Sequence, residues 1–131
     1  SFAEFGGIWP SHCVEGTRGG AIHEAFYTDV VNPANRPDPA RNIFRKGCKQ
    51  DEEQYSGFES VNSNGVALKD YANKDVVISG IATEYCVKNT VEEFLNSGRN
   101  IELLLEGLGY VDYEGHKKTI KELEEVVTVV K

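Results

Sequence analysis

Cys86 occupies a position where a protein can present a reactive thiol. It follows the β-branched residues 76–78, which predict a buried strand, and precedes apolar residues spaced i, i+4, i+7 and i+8 from Val87, which predict one face of a helix. We expect Thr83 to cap this helix and Gly98 to end it. Cys86 would then lie in the first helical turn, where unpaired N–H groups and the helix dipole favour the thiolate over the thiol. This is a suitable placement for a cysteine nucleophile.

Lys46 is predicted to face the same crevice as Cys86. Besides the strand and helix around Cys86, residues 42–46, 101–105 and 126–130 predict strands, and residues 66–71 and 114–125 predict helices. This alternation predicts a parallel sheet flanked by helices, and ligands of such sheets bind beyond the C-terminal ends of the strands. Lys46 ends one predicted strand and Cys86 follows another, so both should lie at that edge.

The composition limits the class of protein. A chain of 131 residues can form one domain, and a net charge of −7 without a basic stripe argues against nucleic-acid and membrane partners. No apolar run is long enough to span a bilayer. The three cysteines form no CxxC pair, which favours free thiols in a reducing compartment. We therefore expect a globular, cytoplasmic protein.

Two junctions between predicted elements look too short. The helix at 114–125 runs directly into the strand at 126–130, although such junctions usually need about 2–6 loop residues. Residues 71–75 likewise leave little room before the next strand, and the chain contains no methionine. We expect small gaps in the sequence at 71–75 and 125–126, where methionine-like residues would be missing.

Several candidate residues also have an ordinary structural interpretation. Free cysteines are usually buried, so we expect structural roles for Cys13 and Cys48. We expect His23 and His116 to be surface residues. Lys46, taken alone, would be an ordinary surface charge.

Three motifs, in this order, resemble those of a known family. They are GGIWPSHCVEGTRG at 6–19, FRKG at 44–47 with YSGF at 55–58, and GIATEYCVK at 80–88. Together they resemble the nicotinamidases of the isochorismatase-like cysteine hydrolase family, along nearly the whole chain. The resemblance implies an α/β fold, a three-layer doubly wound parallel sheet flanked by helices.

The resemblance assigns catalytic roles to the third motif and to Lys46. Cys86 is similar to the family's nucleophile, and Lys46 resembles the lysine that helps to hold the thiolate. The Ile81–Ala82 bond resembles the family's cis peptide. It would aim the backbone N–H of Ala82, together with that of Cys86, at the oxyanion of a tetrahedral intermediate.

The resemblance also implies an aromatic pocket and a metal. Trp9, Tyr55, Tyr85 and Ile81 resemble residues that bind a pyridine ring. His12 resembles the one metal ligand that the WPSHC segment contributes. The implied cofactor is a divalent metal, first of all zinc, with iron or manganese as alternatives.

Two family motifs are missing from these 131 residues. The triad aspartate belongs to a motif of the type Asp-x-Gln-x-Asp-Phe, and the other metal ligands belong to an Asp-x-His motif; neither is in the sequence. We therefore expect residues 1–131 to be the C-terminal portion of a single isochorismatase-like hydrolase domain, incomplete at the N-terminus.

The implied activity is the hydrolysis of nicotinamide to nicotinate and ammonia through a thioester, with a role in NAD salvage and pyridine nucleotide biosynthesis. The implied partners are a small aromatic amide and further copies of the chain in a homo-oligomer. Two alternatives stay open. One is another cysteine amidohydrolase of the same fold, and the other is a non-catalytic remnant that serves as a binding module.

Overall fold

Strands and helices alternate in the second half of the chain. The computed structural model describes residues 2–49 and 52–131. Its regular elements are α1 (Ala25–Thr28), α2 (Leu68–Tyr71), β1 (Asp75–Gly80), α3 (Lys88–Asn96), β2 (Asn100–Leu108), α4 (Tyr113–Leu123) and β3 (Thr128–Val130). A π-helical turn, Thr83–Val87, joins β1 to α3, and short 3-10 turns cover Ala3–Phe5, Arg18–Gly20 and Pro33–Asn35.

The three strands form one parallel sheet in the order β1-β2-β3. Val76 of β1 lies opposite Ile101 of β2, and Leu103 of β2 lies opposite Val129 of β3. Parallel neighbours require a crossover, which α3 provides between β1 and β2 and α4 provides between β2 and β3. The predicted α/β fold with a parallel sheet is therefore confirmed.

The core lies between this sheet and the two longer helices. Its buried apolar side chains are Ile78, Val87, Val91, Phe94, Ile101, Leu103 and Leu123. The predicted helical spacing thus places Val91 and Phe94 inward, and each such side chain stabilises the fold by about 1.5–3 kcal/mol. Phe58, from a loop before the sheet, packs edge-on against Phe94 with ring centroids 4.9 Å apart. This contact packs the loop that contains Phe58 against the core.

The strand predicted at 42–46 is wrong. Only Arg45 makes a strand-like contact, an isolated antiparallel bridge in which its N–H and C=O pair with Val61. A strand needs such bonds at successive alternate residues, and the remaining residues of this segment lie in a loop. Lys46 therefore does not end a strand.

The predicted ends of two helices also need correction. The side chain of Thr83 does not cap α3; Ala82 precedes the turn, and Thr83 Oγ1 instead donates to Gly109 O at 2.9 Å. Helix α4 ends at Leu123, because the N–H groups of Val126 and Val127 both donate to Leu123 O in a turn. Residues 124–127 thus connect α4 to β3, and the junction predicted to be too short has an ordinary length. Likewise, residues 72–74 connect α2 to β1.

In the described parts of the chain, none of the helices has the length and apolar character needed to cross a membrane.

Arg99, the residue before β2, binds α2 and the segment that follows α2. Its guanidinium donates to the carbonyls of Lys69, Ala72 and Asn73 and lies 5.2 Å from the ring centroid of Phe94. Substitution by alanine would leave these carbonyls without a charged donor.

We expect Arg99→Ala to lower the free energy of unfolding by about 2–3 kcal/mol, because hydrogen bonds to charged groups are among the stronger ones. Urea denaturation of the purified chain measures this. Arg18→Ala, at an exposed position in a short turn, is the control and should change the free energy little. Equal stability of the two variants would contradict the structural role of Arg99.

Candidate active site

Lys46 and Cys86 meet although 40 positions separate them in the sequence. Lys46 Nζ lies 3.1 Å from Cys86 Sγ and also donates to Gln54 O at 3.1 Å. A second contact fixes the same loop, because Gly47 N donates to Gln54 Oε1 at 2.9 Å. The ammonium group can therefore stabilise a negative charge on the sulfur through a charge-assisted hydrogen bond.

Cys86 sits in the π-helical turn rather than in a regular α-helical turn. Ala82 O accepts hydrogen bonds from Tyr85 N at 3.0 Å and from Val87 N at 3.1 Å. The Ile81–Ala82 peptide bond is cis, as the resemblance implied, and Gly80 precedes it with φ of 117°, a conformation suited to glycine. Within the described residues, the Ala82 N–H donates to no backbone carbonyl, so it is available to an oxyanion.

Three aromatic side chains form a cluster beside the nucleophile. Trp9 Nε1 donates to the Tyr55 hydroxyl at 3.0 Å. The Tyr85 ring, next to Cys86 in sequence, lies edge-on to Trp9 at 4.9 Å and tilted against Tyr55 at 5.6 Å. Ile81, the fourth residue predicted for the pocket, is 72% exposed at the cis peptide. The structure thus brings together three separate segments that could form walls for a flat ring.

His12 lies at the edge of the aromatic cluster. Its ring centroid is 6.3 Å from that of Trp9, and its Nδ1 lies 2.7 Å from Pro10 O. Because a carbonyl only accepts, Nδ1 carries the proton and Nε2 is left as a possible metal ligand. Among the residues that the structure describes, however, no group of three His, Cys, Asp or Glu could hold a metal ion. One histidine is not a metal site, so the described donor set does not by itself fit zinc.

The loop that carries Tyr55 is bound to α3 by two side chains. Thr90 Oγ1 accepts from Gly57 N at 2.9 Å and donates to Cys86 O at 2.7 Å. Glu93 Oε2 accepts from Ser56 Oγ at 2.5 Å. Thr90 therefore connects the backbone of Cys86 to the loop that carries Tyr55. Sequence reasoning missed this residue, although its position one helical turn after Cys86 was a usable signal.

Sequence reasoning also missed the contacts of Glu84 and His116. Glu84 accepts hydrogen bonds from the N–H groups of Val111 and Asp112, while His116 Nδ1 lies 2.9 Å from Thr83 Oγ1. His116 is therefore partly buried, and its assignment as a simple surface residue is wrong.

The same contacts lower the pKa of the Glu84 carboxyl. Partial burial acts to raise the pKa of this carboxyl, but hydrogen bonds from backbone N–H groups and the nearby charge of His116 outweigh it. The net effect is a pKa below the usual value for glutamate, so the side chain is charged at neutral pH.

Cys13 and Cys48 were predicted to be buried structural thiols, and both are exposed. They line a cavity of about 650 Å³ that also includes Lys46, Phe2 and Phe44. The prediction failed because both cysteines lie in loops, where no regular packing covers them. All three cysteines are free, as the sequence predicted.

Comparison with known proteins identifies relatives by sequence. No family model matches the chain. The nicotinamidase/pyrazinamidase of Mycobacterium tuberculosis is 30% identical over 129 residues, which cover 95% of this chain and 62% of the relative. The chain thus spans less than two thirds of the length of this relative.

Solved structures agree with the sequence relatives. A pyrazinamidase of Pyrococcus horikoshii, in complex with zinc, superposes with a TM-score of 0.74 and 32% identity over 100% of this chain and 67% of its own. The protein PnC1 of L. infantum, in complex with nicotinate, has a TM-score of 0.76 and 28% identity over 100% of this chain and 64% of its own. With the fold and these relatives in agreement, the chain belongs to the nicotinamidases of the isochorismatase-like hydrolase family.

Proposed function

We propose that this chain supplies the nucleophile and the aromatic pocket of an enzyme that hydrolyses nicotinamide to nicotinate and ammonia. The observation that carries the proposal is the 3.1 Å contact between Lys46 Nζ and Cys86 Sγ, adjacent to the cluster of Trp9, Tyr55 and Tyr85. A charged partner favours the thiolate, and the aromatic rings suit a planar pyridine. The L. infantum relative that contains nicotinate supports this choice of product.

In the proposed reaction, Cys86 Sγ attacks the amide carbonyl carbon and forms a C–S bond. The N–H groups of Ala82 and Cys86 donate to the resulting oxyanion. The C–N bond then breaks, and ammonia leaves with the proton that the thiol gave up. Water attacks the thioester, which yields nicotinate and returns Cys86 to its starting state.

The resemblance assigns the transfer of the thiol proton to an aspartate whose motif these 131 residues do not contain. Lys46 has a separate role in this scheme. Its ammonium group stays close to the sulfur and offsets the negative charge before the attack.

We also propose that the enzyme uses a divalent metal, zinc before iron or manganese, with His12 Nε2 as one ligand. The zinc in the P. horikoshii relative and the Nδ1 contact of His12 with Pro10 O support this. The remaining ligands would come from outside the described residues.

The extent of the domain and the biological setting are proposals as well. We infer that residues 1–131 form the C-terminal portion of one isochorismatase-like domain, in keeping with the 62% of the M. tuberculosis relative that the chain spans. Homo-oligomer formation, cytoplasmic location and a role in NAD salvage stay predictions. The two alternative functions are separated by the experiments below.

Replacement of the nucleophile should abolish turnover. We expect Cys86→Ala to reduce ammonia release from nicotinamide by about 10³-fold or more, since loss of a covalent nucleophile removes the whole thioester route. The assay uses the intact protein, and Cys48→Ala, an exposed thiol near Lys46, is the control and should retain activity. Turnover by Cys86→Ala near the wild-type rate would rule out the mechanism.

Replacement of Lys46 should slow the reaction without removing the nucleophile. We expect Lys46→Ala to lower kcat about 10²-fold, as does the loss of one electrostatic donor in comparable acyl transfers. Alkylation of Cys86 by iodoacetamide should slow as well. Lys49→Ala is the matched control, because Lys49 is exposed and, among the described ion pairs, contacts only Glu52. Its Cys86 should be alkylated at the wild-type rate. If Lys46→Ala and Lys49→Ala have the same kcat and the same alkylation rate of Cys86, Lys46 has no role in the mechanism.

The hydrogen bond between Trp9 and Tyr55 should set selectivity for aromatic amides. Trp9→Phe and Tyr55→Phe each remove this bond while keeping a ring. We expect each to raise the KM for nicotinamide by up to about tenfold, the usual net value of one hydrogen bond, and the double variant to add little more.

Acetamide provides the comparison substrate, since its turnover should stay unchanged in the same variants. An enzyme that already prefers acetamide would favour the alternative amidohydrolase. Fully additive effects of the two substitutions would show that the bond does not couple the rings.

A further inference from the structure

The turn that carries Cys86 is held from outside itself. Within the described residues, no capping side chain bonds to the N-terminal end of Thr83–Val87. The first two residues of the turn instead form hydrogen bonds with residues 109–112, the loop between β2 and α4. Thr83 and Glu84 make these contacts, three and two positions before Cys86.

Thr83 makes the inner contact and is completely buried. Both its N–H and its hydroxyl donate to Gly109 O, each at 2.9 Å. Because that hydroxyl is a donor to a carbonyl, His116 Nδ1 must donate to Thr83 Oγ1. Substitution of Thr83 would therefore disturb the core as well as the turn.

Glu84 makes the outer contact. Its Oε2 accepts from Asp112 N at 2.7 Å, and its Oε1 accepts from Val111 N at 3.1 Å. The side chain of Asp112 caps α4 separately, through Gly115 N at 2.8 Å. The helix thus keeps its own cap whether or not Glu84 is present, and Glu84 acts between two elements rather than within one.

We propose that Glu84 is a positioning residue whose carboxylate fastens the nucleophile turn to the loop before α4 and thereby holds Cys86 Sγ against Lys46 Nζ. The inference deepens the proposed function and rests on it. Glu84 does not touch the reacting atoms in this scheme; it acts through the backbone of the turn. Its loss should release the turn on one side, while Thr83 keeps the fold intact.

The kinetic consequence differs from that of a general loss of stability. Misplacement of a reacting atom by about 1 Å can cost about 100-fold in rate. Trp9 and Tyr55 lie outside the turn and form a hydrogen bond with each other, so two of the three pocket rings should keep their positions. We therefore expect Glu84→Ala to lower kcat about 10–100-fold and to change KM less than about threefold.

Three variants of Glu84 separate the roles of the side chain. Glu84→Ala removes both acceptors. Glu84→Gln keeps one oxygen that can still accept from Val111 and Asp112, and should rescue most of the rate. Glu84→Asp keeps the charge on a shorter side chain and should be slower than Glu84→Gln. Glu92→Ala, at an exposed position on α3, is the control.

Two measurements on the intact protein test the proposal. One is kcat and KM for nicotinamide; the other is the alkylation rate of Cys86 at fixed pH in a Cys13→Ser, Cys48→Ser background, with the melting temperature recorded for each variant. Slower alkylation and lower kcat for Glu84→Ala, restored by Glu84→Gln at a similar melting temperature, support the proposal. An unchanged alkylation rate of Cys86 in Glu84→Ala overturns it. So does a loss of kcat and alkylation rate across the variants that is proportional to their loss of melting temperature.

The alkylation arm does not require turnover of nicotinamide. If the wild-type protein releases no ammonia, the proposed function fails, whereas the alkylation rates still decide whether Glu84 positions Cys86. If Glu84→Ala does not fold, the comparison of Glu84→Asp with Glu84→Gln gives the same decision.

Discussion

The contact between the Lys46 ammonium group and the Cys86 sulfur is the interaction on which the site depends. Its two partners come from structurally different parts of the chain, a loop and a turn beyond a parallel strand. The loop is held by hydrogen bonds to Gln54 and by the bridge between Arg45 and Val61. The contact therefore requires the loop that carries Lys46 to be fixed relative to the sheet.

The strand, turn and helix around Cys86 could be predicted because hydrophobic spacing reports which face of an element is buried. Val91 and Phe94 are buried as their spacing indicated, and the sheet is parallel. The loop at 42–46 could not be predicted in this way. Its apolar residues have the pattern of a strand, but its conformation depends on hydrogen bonds between Arg45 and Val61, which lies 16 positions later.

The details of the site depend on side-chain bonds to distant backbone groups, which have no periodic signature. Thr83 is a good capping residue by type, but its hydroxyl bonds to Gly109 across the top of the sheet. Glu84 and Thr90 make similar contacts with Asp112 and Gly57. The resemblance of the motifs predicted Lys46 and the aromatic residues of the site. It did not predict the residues that position them.

The central claim is that Cys86 forms the covalent intermediate. Rapid acid quenching of the intact protein during turnover of nicotinamide, followed by peptide mass spectrometry, tests it directly. The account predicts a nicotinoyl group on the peptide that contains Cys86 and none on the peptides of Cys13 or Cys48. Ammonia release with the adduct on another cysteine would contradict the account.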